Sequence, residues 1–177
     1  MLKFKNRVIA VCCAAIDSDY TEHYMNYFVE FSKKYNFKIL FFRSFSDLYR
    51  ARSGGKHDEG ESYIFNLINH KLIDAMIILS ETIKCQKVRD EIVSEAIENN
   101  IPVISIDRPL EGCYNISYDY KSALEKILCH LIEDHHYTTI NFIAGIKGNY
   151  YSEERIEIYK KVLTEHGIPI EEERIGY

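Results

Sequence analysis

The sequence has no tryptophan among its 177 residues. It also has no apolar run near the ~18 residues of a bilayer span, so no membrane-spanning helix is expected. The opening stretch MLKFKNRVIAV carries no apolar signal region ahead of the first candidate strand, so no secretory leader is expected. A basic stripe is missing too. The net charge is −5, and a face that binds nucleic acid or a membrane surface needs the opposite sign. No disulfide framework is present: Cys12, Cys13, Cys85, Cys113 and Cys129 are odd in number and irregularly spaced. Cys12, Cys13 and Cys129 lie in apolar segments, which fits reduced, buried thiols in a cytoplasmic protein. Internal repeats and low-complexity tracts are absent. So are the G-x-S-x-G nucleophile elbow and the dinucleotide-binding glycine fingerprint. Gly54-Gly55-Lys56 lacks both the first glycine and the following Ser/Thr of a phosphate loop. No catalytic group, cofactor or enzymatic activity is expected of this chain.

What the chain does have is a strand–helix–strand unit at its centre, residues 73–108. Ala75 to Leu79 (AMIIL) is apolar without alternation, as in a parallel strand buried on both faces. Val88, Ile92, Val93, Ala96 and Ile97 then recur at helical spacing. Asn99-Asn100 and Pro102 stop that helix, and Val103 to Ile106 is a second buried strand. Such a crossover is right-handed and implies helices on both faces of a sheet.

The same alternation extends in both directions. Residues 7–14 and 39–42 read as strands, joined by a helix over 20–35 with Tyr24, Tyr27, Phe28 and Phe31 on one face. Residues 44–60 read as a flexible loop. A short helix over 61–69 should bury Tyr63, Ile64, Leu67 and Ile68. Beyond the central unit come an extended segment at 116–119 and a helix over 120–134 capped by Asp119. Its inner face is expected to be Ala123, Ile127, Leu128, Leu131 and Ile132. Residues 140–144 (INFIA) read as another buried strand. Ser152 is expected to cap a last helix, running to His166 with Ile156, Tyr159, Val162 and Leu163 inward, before Gly167 and Pro169. The tail 171–177 approaches a further strand that is expected to be missing. The fold class is therefore α/β, a doubly wound, mostly parallel sheet flanked by helices. A response-regulator receiver shares the alternation, but its phosphoacceptor aspartate should end the third strand, where Leu79-Ser80 stands.

Three segments carry a family likeness in order: IPVISIDRP, ISYDYKSALEKILCHLIEDHHYTTINFIAG and SEERIEIYKKVLTEHGIPIEEERI. Together they resemble the lactose-repressor-like, type I periplasmic-binding-protein-like domains over nearly the whole chain. GESYIFNLINHKLIDAMII and HHYTTINF resemble a branch used as N-terminal sensors in bacterial signalling proteins, often ahead of a GGDEF diguanylate cyclase domain. No GGDEF signature occurs within these residues. Starting at strand one, the chain lacks the repressors' DNA-reading helix-turn-helix, so no direct nucleic-acid contact is expected. The resemblance implies a first lobe over 1–147, and over 148–177 the crossover and first helix of a truncated second lobe. That last helix would lack its sheet and should pack on the first lobe, swap into a neighbour or mediate a homodimer. Ile158 and His136 stand where the family often has glycine, which puts helix packing and turn geometry in question.

The resemblance also implies ligand contacts. Asp17, Ser18 and Tyr20 follow strand one, Ser80 strand three, and Asp107 with Arg108 strand four. Asp119 and Arg155 match positions that face the ligand in sugar-binding members. Carboxylates and a guanidinium fork suit sugar hydroxyls or carboxylates, and tyrosines offer a stacking face for a sugar or nucleoside ring. Each residue has a plainer reading. Asp119 and Ser152 are ordinary N-caps, Asp107-Arg108 makes a loop ion pair, and Asp17-Ser18 is a turn. Arg155 is the exception: on the first turn of a helix it opposes the dipole, which favours a functional role. The seven histidines are scattered, and His135-His136 lack a partner at metal-ligand spacing, so no metal site is expected. The expectation is a ligand-sensing domain fragment of a signalling protein. The alternatives are an unliganded dimerisation module or the effector-binding core of a transcription regulator.

Overall fold

The structure is a computed structural model that describes residues 7–14, 19–46 and 60–177, without the side chains of residues 19–21. Five strands, β1 (Val8–Ala14), β2 (Lys38–Ser44), β3 (Ala75–Leu79), β4 (Val103–Ile106) and β5 (Tyr114–Ile116), form one sheet in the order β2-β1-β3-β4-β5. Every pairing is parallel, so all the carboxyl ends share one edge. Helix α1 (Asp19–Tyr35) follows β1, and α2 (Gln86–Glu98) follows β3.

Alternate residues of the strands serve two cores. Ala10, Cys12, Ala14, Met76, Ile78 and Val103 pack with Phe65, Ile68, Ile83 and the α2 residues Ile92, Val93 and Ala96. Cys13, Leu79 and Ile106 face the other way, against Tyr24 and Phe28 of α1. Helices thus cover both faces, which is why these strands are apolar throughout. Burial drives the Cys12 thiol far above its ordinary value and pushes Cys13 up to about 11. Both therefore sit in the sheet as inert, small hydrophobes.

Several expected faces differ in detail. Tyr27 and Phe31 are exposed, and of the four expected aromatics Tyr24 and Phe28, one turn apart, reach the sheet. The helix expected over 61–69 is α-helical over 60–62 and continues as a 3-10 turn, Tyr63–Leu67. Its three-residue period turns Phe65 inward and leaves Tyr63 and Leu67 exposed. Ile97 is exposed at the end of α2, while Asn100 takes the left-handed φ of +58° that closes the helix.

The chain divides into two compact units, residues 1–117 and 118–177. The helix after residue 118 buries its apolar face within the second unit. That unit holds α3 (Tyr120–Glu133), β6 (Phe142–Ile143), α4 (Tyr150–Glu165), a 3-10 turn (Glu172–Arg174) and β7 (Ile175–Gly176). Leu128 of α3 packs with Ile158, Tyr159, Val162 and Leu163 of α4. The Tyr159 hydroxyl donates to the Ile140 carbonyl at 2.8 Å, and its ring stacks on Phe142 at 5.0 Å.

Five expectations for this unit are corrected. The last helix finds its partner in α3, so it is not left without an apolar surface to cover. Ala123 and Ile127 are exposed, because the stripe that meets α4 is Leu124, Leu128, Cys129 and Ile132. Asn149 is the α4 N-cap, accepting from the N–H groups of Tyr151 and Ser152 at 3.0 and 3.3 Å; Ser152 lies buried inside the first turn. The tail does contain a strand, β7, paired in parallel with β6. Ile143 of β6 is 84% exposed, so INFIA is not buried on both faces. His136 adopts φ +56°, a left-handed conformation that glycine adopts without strain.

Candidate functional site

The strand order 2-1-3-4-5 reverses its direction of progress between β1 and β3, and in open parallel sheets ligands bind at the carboxyl ends beside such a switch point. The backbone there is tied together by hydroxyls. Thr82 Oγ1 accepts from the Ala14 N–H at 2.9 Å and donates to the Leu79 carbonyl at 2.7 Å, which pins the end of β1 to the turn after β3. Ser80 is fully buried. Its Oγ accepts from the Arg108 N–H at 3.0 Å and lies 2.6 and 2.9 Å from the carbonyls of Ile106 and Arg108, to which its single proton is donated. Ser105 Oγ donates to the same Arg108 carbonyl at 2.7 Å. The turn after β4 is thus held from two neighbouring strands.

Asp107 sits in that turn with φ +73° and is buried. A left-handed conformation is costly for a side chain with Cβ, though aspartate tolerates it better than most residues. Burial pushes its carboxyl above the usual carboxylate value. Its N–H donates to Ile116 at 2.8 Å, extending the β4–β5 ladder by one residue.

Sequence reasoning missed Arg89. It is buried in α2, where its Nη1 donates to the carbonyls of Ile83 and Lys84, while its Nε has no hydrogen-bond partner. Burial lowers its pKa, and the nearby charge of Arg108 lowers it further; Glu81 and Asp90 oppose both. Two guanidinium groups therefore bring positive potential to the carboxyl edge of β3 and β4. The signal was present in the sequence: positions 89, 92, 93 and 96 share one helical face, and a lone arginine interrupts that apolar stripe.

The structure brings Ser80, Asp107 and Arg108 together in the first unit. Asp17 and Ser18 lie outside the described residues, and Tyr20 is placed only by its backbone, in α1. Asp119 and Arg155 belong to the second unit. Asp119 is the α3 N-cap, Oδ1 accepting from the Ser122 N–H at 3.1 Å, and that bonding lowers its pKa. Arg155 is exposed on α4. Near these two helix starts the rings of Tyr118, Tyr120, Tyr151 and Tyr150 form a chain with successive centroid distances of 5.7, 5.8 and 5.2 Å. Lys121 and Glu154 pair beside it at 2.9 Å. Donors, acceptors and ring faces are the chemistry of polyhydroxylated ligands, and neither group of residues contains a nucleophile–base pair.

No protein-family model and no curated protein matches the sequence. Solved structures do match. A LacI-family transcriptional regulator from Weissella paramesenteroides with bound sucrose has 18% identity and a TM-score of 0.68, over 96% of this chain and 57% of that one. A LacI-family sugar-binding transcriptional regulator from Escherichia coli complexed with phosphate has 19% identity and a TM-score of 0.69, over 97% and 58%. A periplasmic ribose ABC transporter protein from Conexibacter woesei has 13% identity and a TM-score of 0.73, over 99% and 55%. The chain has the α/β fold of these regulators and binding proteins, and it spans a little over half of their length.

Proposed function

We propose that this chain is the small-molecule-sensing part of a bacterial signalling or transcription-regulating protein, and that its ligand is a sugar, a nucleoside or a similar polyhydroxylated molecule. The observation that carries this reading is the turn after β4. Asp107, buried and left-handed, and Arg108, held by the buried Ser80, stand at the carboxyl edge beside the switch point. Backbone strain kept in place by a surrounding hydrogen-bond network is characteristic of ligand clamps. Asp107 accepts from ligand hydroxyls and Arg108 donates to them. Asp17 and Ser18, which follow β1 in the sequence, and Tyr20, at the start of α1, contribute as well. In the second unit Asp119, Arg155 and the tyrosine chain supply a second set of polar and stacking groups.

Sensing works by population shift: a ligand that binds one arrangement of the lobes better than another changes the output in proportion to that difference. The sequence resemblance favours a cytoplasmic homodimer that drives a diguanylate cyclase. The solved LacI-family regulators favour a second reading, the effector-binding core of a transcription regulator. Neither reading requires this chain itself to touch nucleic acid.

Isothermal titration of the parent protein containing these residues, against ribose, glucose, sucrose, nucleosides and amino acids, tests the proposal. One class should give saturable heat. Arg108→Ala should weaken that binding by ten- to hundredfold, the effect of losing about 1.5–3 kcal/mol of charge-assisted hydrogen bonding. Absence of heat with every class defeats the sensor reading and leaves a dimerisation module.

A further inference from the structure

The second unit holds a cluster of a different kind. The ligating atoms of Cys129, Glu133 and His166 lie within 4.8 Å of one another. Cys129 and Glu133 are one turn apart on α3, and His166 is the C-cap of α4. The sequence pairs the first two by i,i+4 spacing, but the third arrives from 33 residues beyond Glu133, so spacing alone does not reveal the set.

The imidazole is oriented by the backbone. His166 Nδ1 is 2.8 Å from the Val162 carbonyl. A carbonyl only accepts, so Nδ1 carries the proton and the neutral ring presents its lone pair at Nε2. That Nε2 lies 2.9 Å from Glu133 Oε1. A lone pair facing a carboxylate needs a proton or a metal ion between them. Fixing the tautomer through a backbone carbonyl is also how metal-binding histidines are held. The surroundings favour a cation: Glu125, Glu133 and Glu165 act on Cys129 with Lys161 alone opposing them, and Lys161 is engaged with Glu125 at 2.7 Å and Glu165 at 3.9 Å.

We propose that Cys129, Glu133 and His166 form a binding site for a borderline-soft divalent cation of the zinc class, which clamps the carboxyl-terminal ends of α3 and α4 together. One thiolate, one carboxylate oxygen and one imidazole nitrogen, with water in the fourth position, match tetrahedral zinc chemistry. Tetrahedral bonds of ~2.0–2.3 Å place ligand atoms ~3.3–3.8 Å apart, so Glu133 Oε1 must draw back from its 2.9 Å contact with His166 Nε2, a movement that the exposed Glu133 side chain is free to make. Binding exchanges the Cys129 S–H bond for a metal–sulfur bond and releases that proton to solvent. Where His166 is protonated, its Nε2 proton leaves as well.

The test uses the whole 177-residue chain, freed of metal with EDTA. Zinc chloride is titrated in competition with a chromophoric chelator, and cobalt(II) is used as the spectroscopic probe. The expected result is one ion per chain, a tetrahedral cobalt spectrum with a thiolate charge-transfer band, and a raised melting temperature. Cys129→Ser should remove the charge-transfer band, and His166→Gln should weaken zinc binding by about tenfold or more. His135→Gln should leave binding unchanged. It reports on the neighbouring pair in which His135 Nε2 meets His130 Nε2 at 3.0 Å. Alkylation of the unaltered chain covers the case in which a variant fails to fold: zinc should protect Cys129 while the exposed Cys85 still reacts. Absence of stoichiometric zinc binding, binding that survives Cys129→Ser, or loss of binding with His135→Gln each overturns the proposal.

Discussion

Ser80 and Asp107 are neighbours in the same turn network and yet should respond to mutation in opposite ways. Ser80 Oγ satisfies the Arg108 N–H and donates to a carbonyl in a place with no access to water. Ser80→Ala removes those bonds and leaves the Arg108 N–H with only its longer bond to the Ile106 carbonyl, 3.2 Å, at a cost of about 0.5–1.5 kcal/mol, read as a lower denaturant midpoint at unchanged slope. Asp107 holds a positive φ and a buried carboxyl. Asp107→Gly removes the Cβ strain of the left-handed position, so it should leave stability unchanged or raise it by up to about 1 kcal/mol while weakening the binding proposed for this turn. Functional sites commonly trade stability for geometry in this way. If the glycine variant loses more than about 2 kcal/mol, the Asp107 side chain has a structural role and the clamp reading of the turn fails.

At the scale of elements, α3 offers a comparison between consecutive residues. Leu128 is 3% exposed and Ile127 is 57% exposed. Leu128→Ala should destabilise the second unit by about 2–5 kcal/mol, the usual range for a fully buried aliphatic side chain. Ile127→Ala should change it by less than about 0.5 kcal/mol. Equal effects would mean that Ile127 is covered in solution. The two residues also show what the sequence makes legible. The sheet is readable because uninterrupted apolar runs such as AMIIL have few uses other than a parallel strand with helices on both sides. The helices are readable as helices but less so in their orientation. Ala123, Ile127, Leu128, Leu131 and Ile132 spread apolar character over more than one stripe of α3, so periodicity alone does not choose the stripe that α4 meets. Tyr27 and Phe31 of α1 pose the same ambiguity, since much of a folded protein's surface is apolar and single rings commonly stand on it. Of the candidate site, the strand-end residues are legible from topology. Arg89 was signalled by a charge inside an apolar face. Cys129, Glu133 and His166 became a group only when α3 and α4 were seen side by side.

For the whole molecule, pH discriminates between a proton and a metal ion at that junction. The hydrogen bond that His166 donates to Glu133, reinforced by the one to the Val162 carbonyl, raises the pKa of His166 above its ordinary value. A histidine whose folded pKa exceeds its unfolded value near 6.5 contributes stability fully below that unfolded value, and the contribution is lost as pH rises through the folded value. The lowered carboxyls of Asp74 and Asp119 work in the opposite direction. Their contributions are present above the ordinary carboxylate range and are lost only in acid, well away from the histidine window. In EDTA, melting followed by circular dichroism should therefore give a lower midpoint at pH 8 than at pH 6, and His166→Gln should flatten that difference. With zinc present the sign reverses, because the ion competes with protons on Cys129 and His166 and binds more tightly as pH rises. An EDTA midpoint that is level between pH 6 and pH 8 would show that the His166–Glu133 contact is not formed in solution, and the metal site built on the same two side chains would fall with it.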